Sequence, residues 1–345
     1  MLPTVFPEPD FFLPGRGEPV LRWGVIAPGG IAGAFAKAVH THTHQRITAV
    51  ASRSAERAGA FAARHGIDRV HDSYAHLVED PDIDVVYIAA PQSEHLALGL
   101  LSLRAGKHTL IEKPMATSAA DARRLADAAA AAGVLLMEAM WSRYLPQAAV
   151  IRALIADGVL GEVHQVVADH GQAIPPDPQG RLYRRDLGGG ALLDLGIYPV
   201  QLASMVLGPP VTVTAIGGLT DTGVDAYSTL VLGHHGAAQS TLMTTLLTRT
   251  PTVALIAGAE ARLEIAGPFH IPTELTLAGN AFLGPSVTWR DPTGVTLMDG
   301  LSWEATALAT FVGEGRTESP LHTLDETVSN LATIDEARRQ LGCED

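Results

Sequence analysis

Residues 21–33 read LRWGVIAPGGIAG, a run of strand formers that breaks into a turn of small residues and then into a helix-forming segment. The turn is Ala27-Pro28-Gly29-Gly30-Ile31-Ala32. Small side chains there let a ligand approach the backbone closely. The first turn of the helix behind them has N–H groups with no intrahelical partner, and these favour an anion such as a pyrophosphate. In a dinucleotide-binding fingerprint the three small positions would be Ala27, Gly29 and Ala32, and only Gly29 is a glycine. Alanine preserves most of the required geometry, so the strand-turn-helix setting carries the reading more than the glycine count does.

The flanking sequence repeats that setting. RITAVAS (46–52) reads as a second strand and SAERAGAFAARHG (54–66) as a helix. DVVYIAA (84–90), the helical EHLALGLLSLRAG (94–106) and KHTLI (107–111) continue the alternation. TSAADARRLADAAAAAG (117–133) is an alanine-rich helix with Ser118 as N-cap and Gly133 as its stop, followed by VLLMEAMW (134–141) as a strand. Strands alternating with helices imply a doubly wound parallel sheet.

After residue 150 the rhythm changes. A helix (147–158), a strand (162–170) and an arginine-rich loop (171–187) lead into GGGALLDLGIYPVQLASMVLG (188–208), read as a helix starting near the glycines. Apolar runs then follow one another with turn residues between them from 210 to 290, the pattern of an antiparallel sheet. The expected fold is α/β: a Rossmann domain over 21–145 preceded by an extended arm over 1–20, then a C-terminal α+β domain over 146–345 with one large open sheet. A closing helix over 324–342 is expected to pack back on the first domain.

A chain of 345 residues, 47% hydrophobic and 18% charged, suffices for two cores. Twenty-four Lys and Arg against 37 Asp and Glu give a net charge of -13 with no basic stripe, which argues against nucleic acid and anionic membranes as partners. The segment 1–19 holds no apolar run suited to a signal peptide or a membrane span, and the one cysteine, Cys343, has no partner for a disulfide; a cytoplasmic location is expected.

The end of the second strand bears on which dinucleotide is bound. NAD is gripped through its ribose hydroxyl by an acid about 20 residues past the glycines, and between Gly33 and Ala55 there is no Asp or Glu. Ser52 and Arg53 stand there instead, with Arg57 one turn on; hydroxyls and guanidiniums suit a 2′-phosphate, so NADP is expected, with NAD as the alternative. AAPQSEHL (89–96) brings Ala90, Pro91, Gln92 and His95 to the carboxyl edge of the sheet, where ligands of open α/β sheets bind. His95 could line the nicotinamide end or make a structural bond. TLIEKPM (109–115) ends on the same edge, with Glu112 and Lys113 closing a buried strand and counted with the cofactor site. A lysine there can hold positive charge against a developing alkoxide, or act as base if burial lowers its pKa.

In the second domain Asp194 and Tyr198 are spaced i,i+4 and share a helix face. A phenol near an ammonium has its phenolate favoured, which makes Tyr198 a candidate acid/base.

GVIAPGGIA, EKP before an alanine-rich helix, and GGGALLDLGIY, in that order and spacing, resemble the Gfo/Idh/MocA oxidoreductases over about residues 21–342. The resemblance implies a nicotinamide cofactor, a sugar-like or cyclic polyol substrate and a homodimer or homotetramer formed through the sheet face. It also implies a catalytic Lys113 with a cis bond to Pro114. Tyr198, where many members carry histidine, and MEAMWSRYLP (137–146) resemble the branch containing glucose-fructose oxidoreductase, dimeric dihydrodiol dehydrogenase and NADP-dependent D-xylose dehydrogenase. On that resemblance Glu138, Trp141 and Arg143 would lie beside the substrate.

Arg181, Tyr183, Arg184 and Arg185 of the 171–187 loop are further candidates for shaping the pocket. The expected chemistry is hydride transfer between a pyranose or cyclic diol and nicotinamide, with Tyr198 moving the proton, Lys113 assisting it and Asp194 orienting the pair or the sugar. An inositol or 3-keto-glycoside dehydrogenase, or a non-catalytic nicotinamide-binding sensor, are the alternatives. HTHTH (40–44) spaces three histidines by two, but no nearby acid or cysteine completes a metal site, and none is expected.

Overall fold

The computed structural model describes residues 5–8 and 12–343. It divides into two compact units. One comprises Phe12–Tyr144 and Leu297–Val328; the other comprises Leu145–Thr296 and the C-terminal segment from Ser329. The expected arm over 1–20 falls partly outside the described residues.

The first unit contains β1 (Arg22–Ile26), α1 (Gly30–His42), β2 (Arg46–Ala51), α2 (Ala55–His65), β3 (Arg69–His71), α3 (Tyr74–Glu79), β4 (Val85–Ile88), α4 (His95–Arg104), β5 (His108–Glu112), α5 (Ala119–Ala132) and β6 (Leu136–Ala139). The six strands are all parallel in the order β3-β2-β1-β4-β5-β6, the doubly wound order whose direction reverses between β1 and β4. The strands read as continuous apolar runs because helices cover both faces. Val85, Val86, Tyr87 and Ile88 of β4 are all fully buried. The Phe35 ring of α1 stacks on Tyr87 at 4.1 Å, which fixes α1 over the sheet centre. Ser54, Ser73 and Ser118 cap α2, α3 and α5 by accepting the amide three residues on.

The second unit contains α6 (Pro146–Ala156), β7 (Val163–Gly171), a π-turn over Leu192–Gly196 running into α7 (Ile197–Leu207), and β8 (Thr212–Leu219), β9 (Asp225–Gly233), β10 (Gln239–Thr245), β11 (Ala254–Gly258), β12 (Ala261–Ile265), β13 (Leu275–Gly279) and β14 (Ser286–Trp289). The eight strands form one sheet in the order β14-β13-β12-β11-β7-β10-β9-β8, antiparallel except for the β7–β10 pair. One face, with Ala168, Leu230, Leu242, Ile256 and Leu263, is buried. The opposite face leaves Val167, Ile216, Tyr227, Val231 and Met243 exposed. The segment 185–207 is long and apolar enough to cross a membrane, yet 78% of its apolar window is buried inside the structure.

One long element is not assigned in the sequence reading. Residues 301–313 form α8 (Leu301–Gly313), which that reading leaves unassigned and which belongs to the unit of the parallel sheet. The closing helix α9 (Leu324–Leu341) starts within that unit and has its longer part, from Ser329, in the other.

Candidate active site

The turn after β1 has the features a dinucleotide needs. Ala27 takes a left-handed backbone, with φ 60°, where a fingerprint would place its first glycine. Gly29 precedes α1 with no side chain capping the helix, and the first turn carries no acid, so the N–H groups remain available to an anion. A Cβ added at Gly29 or Gly30 would meet nothing within 4 Å. The glycines are therefore not required by packing within the protein, and the space above them suits a pyrophosphate.

At the end of β2, Ser52 Oγ accepts the Ser54 amide at 3.2 Å. The exposed Arg53 lies 3.8 Å from Glu94. A pair that loose could be displaced by a phosphate. Beyond β4, Gln92 is 4% exposed, and its Oε1 has no hydrogen-bond partner among the described residues. A buried carboxamide oxygen is costly to leave so, and a bound carboxamide such as that of nicotinamide would satisfy it. These residues fit a nicotinamide dinucleotide.

His95 resolves differently from its nicotinamide-lining alternative. It is fully buried, with Nδ1 2.9 Å from the Pro114 carbonyl and Nε2 2.9 Å from the Ala90 carbonyl. Both ring nitrogens are engaged by backbone, so His95 ties the β4 and β5 ends together and shapes the site through them.

Lys113 closes β5 at the carboxyl edge of the sheet, and its bond to Pro114 is cis. Beneath it, Glu112 Oε1 accepts the Tyr87 hydroxyl at 2.5 Å, and Oε2 accepts the Lys113 amide at 3.3 Å. Glu304 of α8 is fully buried, and neither of its carboxylate oxygens has a partner among the described residues. Burial, reinforced by the charge of Glu112, drives its pKa well above the ordinary carboxylate range.

Glu138, part of the MEAMW motif, is 2% exposed and points inward. Its Oε1 accepts the Met115 amide at 2.8 Å, and its Oε2 accepts the Thr327 hydroxyl at 3.2 Å. Trp141 and Arg143 follow on a short 3-10 turn, both buried, with Arg143 ion-paired to Glu326.

In the second unit the glycines before α7 have a mechanical purpose. Gly190 takes φ 118°, and a Cβ there would lie 2.1 Å from Asp225 Oδ1. Its absence lets Asp225 accept the Leu192 amide at 2.6 Å and anchor the start of the helix. The helix opens into π geometry over Leu192–Gly196, where Pro199 cannot donate to the Leu195 carbonyl. That segment carries Asp194, and α7 carries Tyr198.

Asp194 pairs with Arg181 at 2.9 Å. Arg181 is thus the loop candidate that reaches Asp194. The Tyr183 hydroxyl donates to the Ile174 carbonyl at 2.8 Å, and Arg184 is taken by Asp186 two residues away. Tyr198 is flanked by two imidazoles absent from the sequence reading. The His270 ring lies 4.5 Å from it, and His170 lies 5.4 Å away, with the imidazoles stacked on each other at 4.4 Å.

The HTHTH histidines occupy the end of α1 and the turn after it. His40 Nε2 accepts the Ile47 amide, and His42 faces Asp299 at 3.4 Å.

A doubly wound sheet with an open glycine turn, a lysine at its carboxyl edge and a tyrosine-bearing helix before an open sheet defines a nicotinamide-dependent dehydrogenase or reductase acting on CH–OH groups. Residues 21–140 match the family model described as "Oxidoreductase family, NAD-binding Rossmann fold", and residues 148–268 match the "GFO/IDH/MocA C-terminal domain". The chain belongs to the Gfo/Idh/MocA oxidoreductase family. It is 36% identical to trans-1,2-dihydrobenzene-1,2-diol dehydrogenase of Xenopus tropicalis over 327 residues, covering 93% of this chain and 98% of the relative. Its identity to the Homo sapiens enzyme of that name is 32%, covering 93% and 97%.

Among solved structures it resembles a 3-ketoreductase from Actinomadura kijaniata in complex with NADP and TDP-benzene (TM-score 0.81, 28% identity, 93% and 98% coverage). Aldose-aldose oxidoreductase from Caulobacter crescentus is similar to the same degree (TM-score 0.81, 26% identity, 94% and 98% coverage).

Proposed function

We propose that the protein is an NADP-dependent dehydrogenase of a polyhydroxylated ring, with a trans-dihydrodiol as first candidate and an aldopyranose such as D-xylose as second. The observation that carries this reading is Lys113, held at the carboxyl edge of a sheet whose open glycine turn suits a dinucleotide. The identity of 32% to 36% to dihydrodiol dehydrogenases over most of the chain supports the first substrate. The likeness to an aldose oxidoreductase supports the second.

When bound, the nicotinamide supplies the hydride acceptor at its C4 carbon. Tyr198, as phenolate, takes the hydroxyl proton as the C–H bond breaks, which leaves a carbonyl and a neutral phenol. The Lys113 ammonium holds charge against the alkoxide as it develops and favours the phenolate form of Tyr198. Asp194, oriented by Arg181, accepts a hydrogen bond from a neighbouring hydroxyl and sets which ring carbon is presented. Trp141 offers an apolar wall. Arg53, Ser52 and Arg57 hold the 2′-phosphate.

The test is a screen of trans-dihydrodiols and aldoses by NADPH absorbance, with NAD as control. Lys113→Met and Tyr198→Phe should each lower kcat by about 10²–10⁴-fold with folding and NADPH binding retained. Wild-type rates in Lys113→Met would refute the assignment. We further propose that two copies associate through the exposed face of the eight-stranded sheet.

A further inference from the structure

We propose that Glu138 is the positioning residue of Lys113: its carboxylate grips the chain just behind the lysine and sets a buried counter-charge for the ammonium. The inference rests on the role proposed for Lys113, and its experiment reads Lys113 without requiring turnover.

Glu138 sits on β6 opposite Ile111 of β5, in a strand whose other residues are Leu136, Met137 and Ala139. A carboxylate buried in such a strand is costly unless its oxygens are satisfied and its charge is answered. The Met115 amide, two residues past Lys113, binds one oxygen, and the Thr327 hydroxyl binds the other. The grip therefore falls on the short turn that presents the lysine.

Three basic groups face this carboxylate. His322 Nδ1 lies 3.6 Å away, but burial and then Arg143 drive its pKa well below the ordinary value, so it is neutral. Arg143 also pairs with Glu326. The charges of Lys113 and Arg143 both favour the Glu138 carboxylate, and Lys113 is the one carried by the turn whose Met115 amide Glu138 holds.

Burial pushes the Glu138 carboxyl up to about 7, with the Met115 and Thr327 bonds and the charges of Lys113 and Arg143 opposing the rise. Coupling between two sites is reciprocal, so whatever Lys113 does for the carboxylate, the carboxylate does for the ammonium. The carboxylate thus favours the ammonium form of Lys113, the form whose charge the proposed reaction needs.

The chain has three lysines, Lys37, Lys107 and Lys113, so reductive ¹³C-methylation gives three side-chain signals that NMR can follow with pH, and Lys113→Met identifies one of them. In the wild type the Lys113 signal should show an inflection at about pH 7 as Glu138 titrates. Glu138→Gln retains an oxygen for the Met115 amide and removes the charge, and its Nε2 can donate to the Thr327 hydroxyl in place of the bond that hydroxyl now donates. There the inflection should vanish, and the Lys113 midpoint should fall by about 1 unit or more. The alkaline limb of kcat should move down by the same amount.

An unmoved midpoint in folded Glu138→Gln, verified by circular dichroism and NADP binding, overturns the proposal. If that variant does not fold, the wild-type curve decides: an inflection supports the coupling, and its absence overturns it. Failure of the hydride-transfer reading looks different, as no turnover in wild type beside a Lys113 titration that still responds to position 138.

Discussion

At the scale of one residue, the proposed preference for NADP rests on Arg53. It stands just past the end of β2 with 70% of its side chain exposed and lies 3.8 Å from Glu94. Exposed pairs of that kind contribute about 0–1 kcal/mol, whereas a guanidinium on a phosphate gains from charge-assisted hydrogen bonds. Arg53→Ala should raise the KM for NADP about tenfold and leave that for NAD within about twofold, a difference of about 1.4 kcal/mol for the tenfold change. The effect should shrink as salt rises. Equal losses for both dinucleotides in steady-state assays would place Arg53 elsewhere than at the 2′-phosphate. The proposal is drawn from the sequence through the absence of any acid between Gly33 and Ala55, a property of local chemistry. The partners of Glu138 and the imidazoles beside Tyr198 were not legible. Met115 and Thr327 meet Glu138 from two different segments, and His170 and His270 reach Tyr198 from either side of it in the chain, separations at which pattern carries no information. One signal for Glu138 was available: a lone acid inside an apolar strand run requires a buried partner.

At the scale of elements, periodicity and caps located most helices and strands, and the exceptions have a physical cause. α8 reads LSWEATALATFVG and is buried over nearly its whole length, so it shows no polar face and no helical contrast for periodicity to detect. α3 spans only Tyr74–Glu79, too short to establish a period. The π-turn before α7 depends on Pro199 and on the Asp225 anchor, distant in the chain from Leu192, so the sequence placed a helix there without its irregular start. α5 shows the legible case. Ser118 accepts the Asp121 amide at 3.2 Å, and Gly133 ends the helix at φ 65°. Because α5 directly follows the EKPM turn, its first turn also bears on the site. Ser118→Ala should lower stability by about 1 kcal/mol in urea titration, while Ser118→Asp should retain most of it. Equal stability of Ser118→Ala and wild type would show that the cap bond carries no weight.

For the whole molecule, the open sheet face is the feature that a single copy leaves unexplained. Ile216 of β8, Tyr227 and Val231 of β9, Met243 of β10 and Val167 of β7 project from the same side, since cross-strand partners share a face. Ile216 is 74% exposed and Tyr227 47%. Towards β12 the apolar surface gives way to the Arg262–Glu264 ion pair, an apolar centre with a charged margin. Contiguous apolar surface of this kind supports the proposed association, in which a twofold axis through the sheet would bury the same patch on both copies. Val231→Asp together with Met243→Asp should therefore convert the assembly to a monomer in light scattering. Both side chains point away from the buried face, so the substitutions should leave the fold of each copy and its affinity for NADP unchanged. Glu264→Lys, at the charged margin, should weaken association by a smaller factor that depends on salt. A wild-type monomer at micromolar concentration, or a double variant that still sediments as the wild type does, would remove the sheet face as the interface.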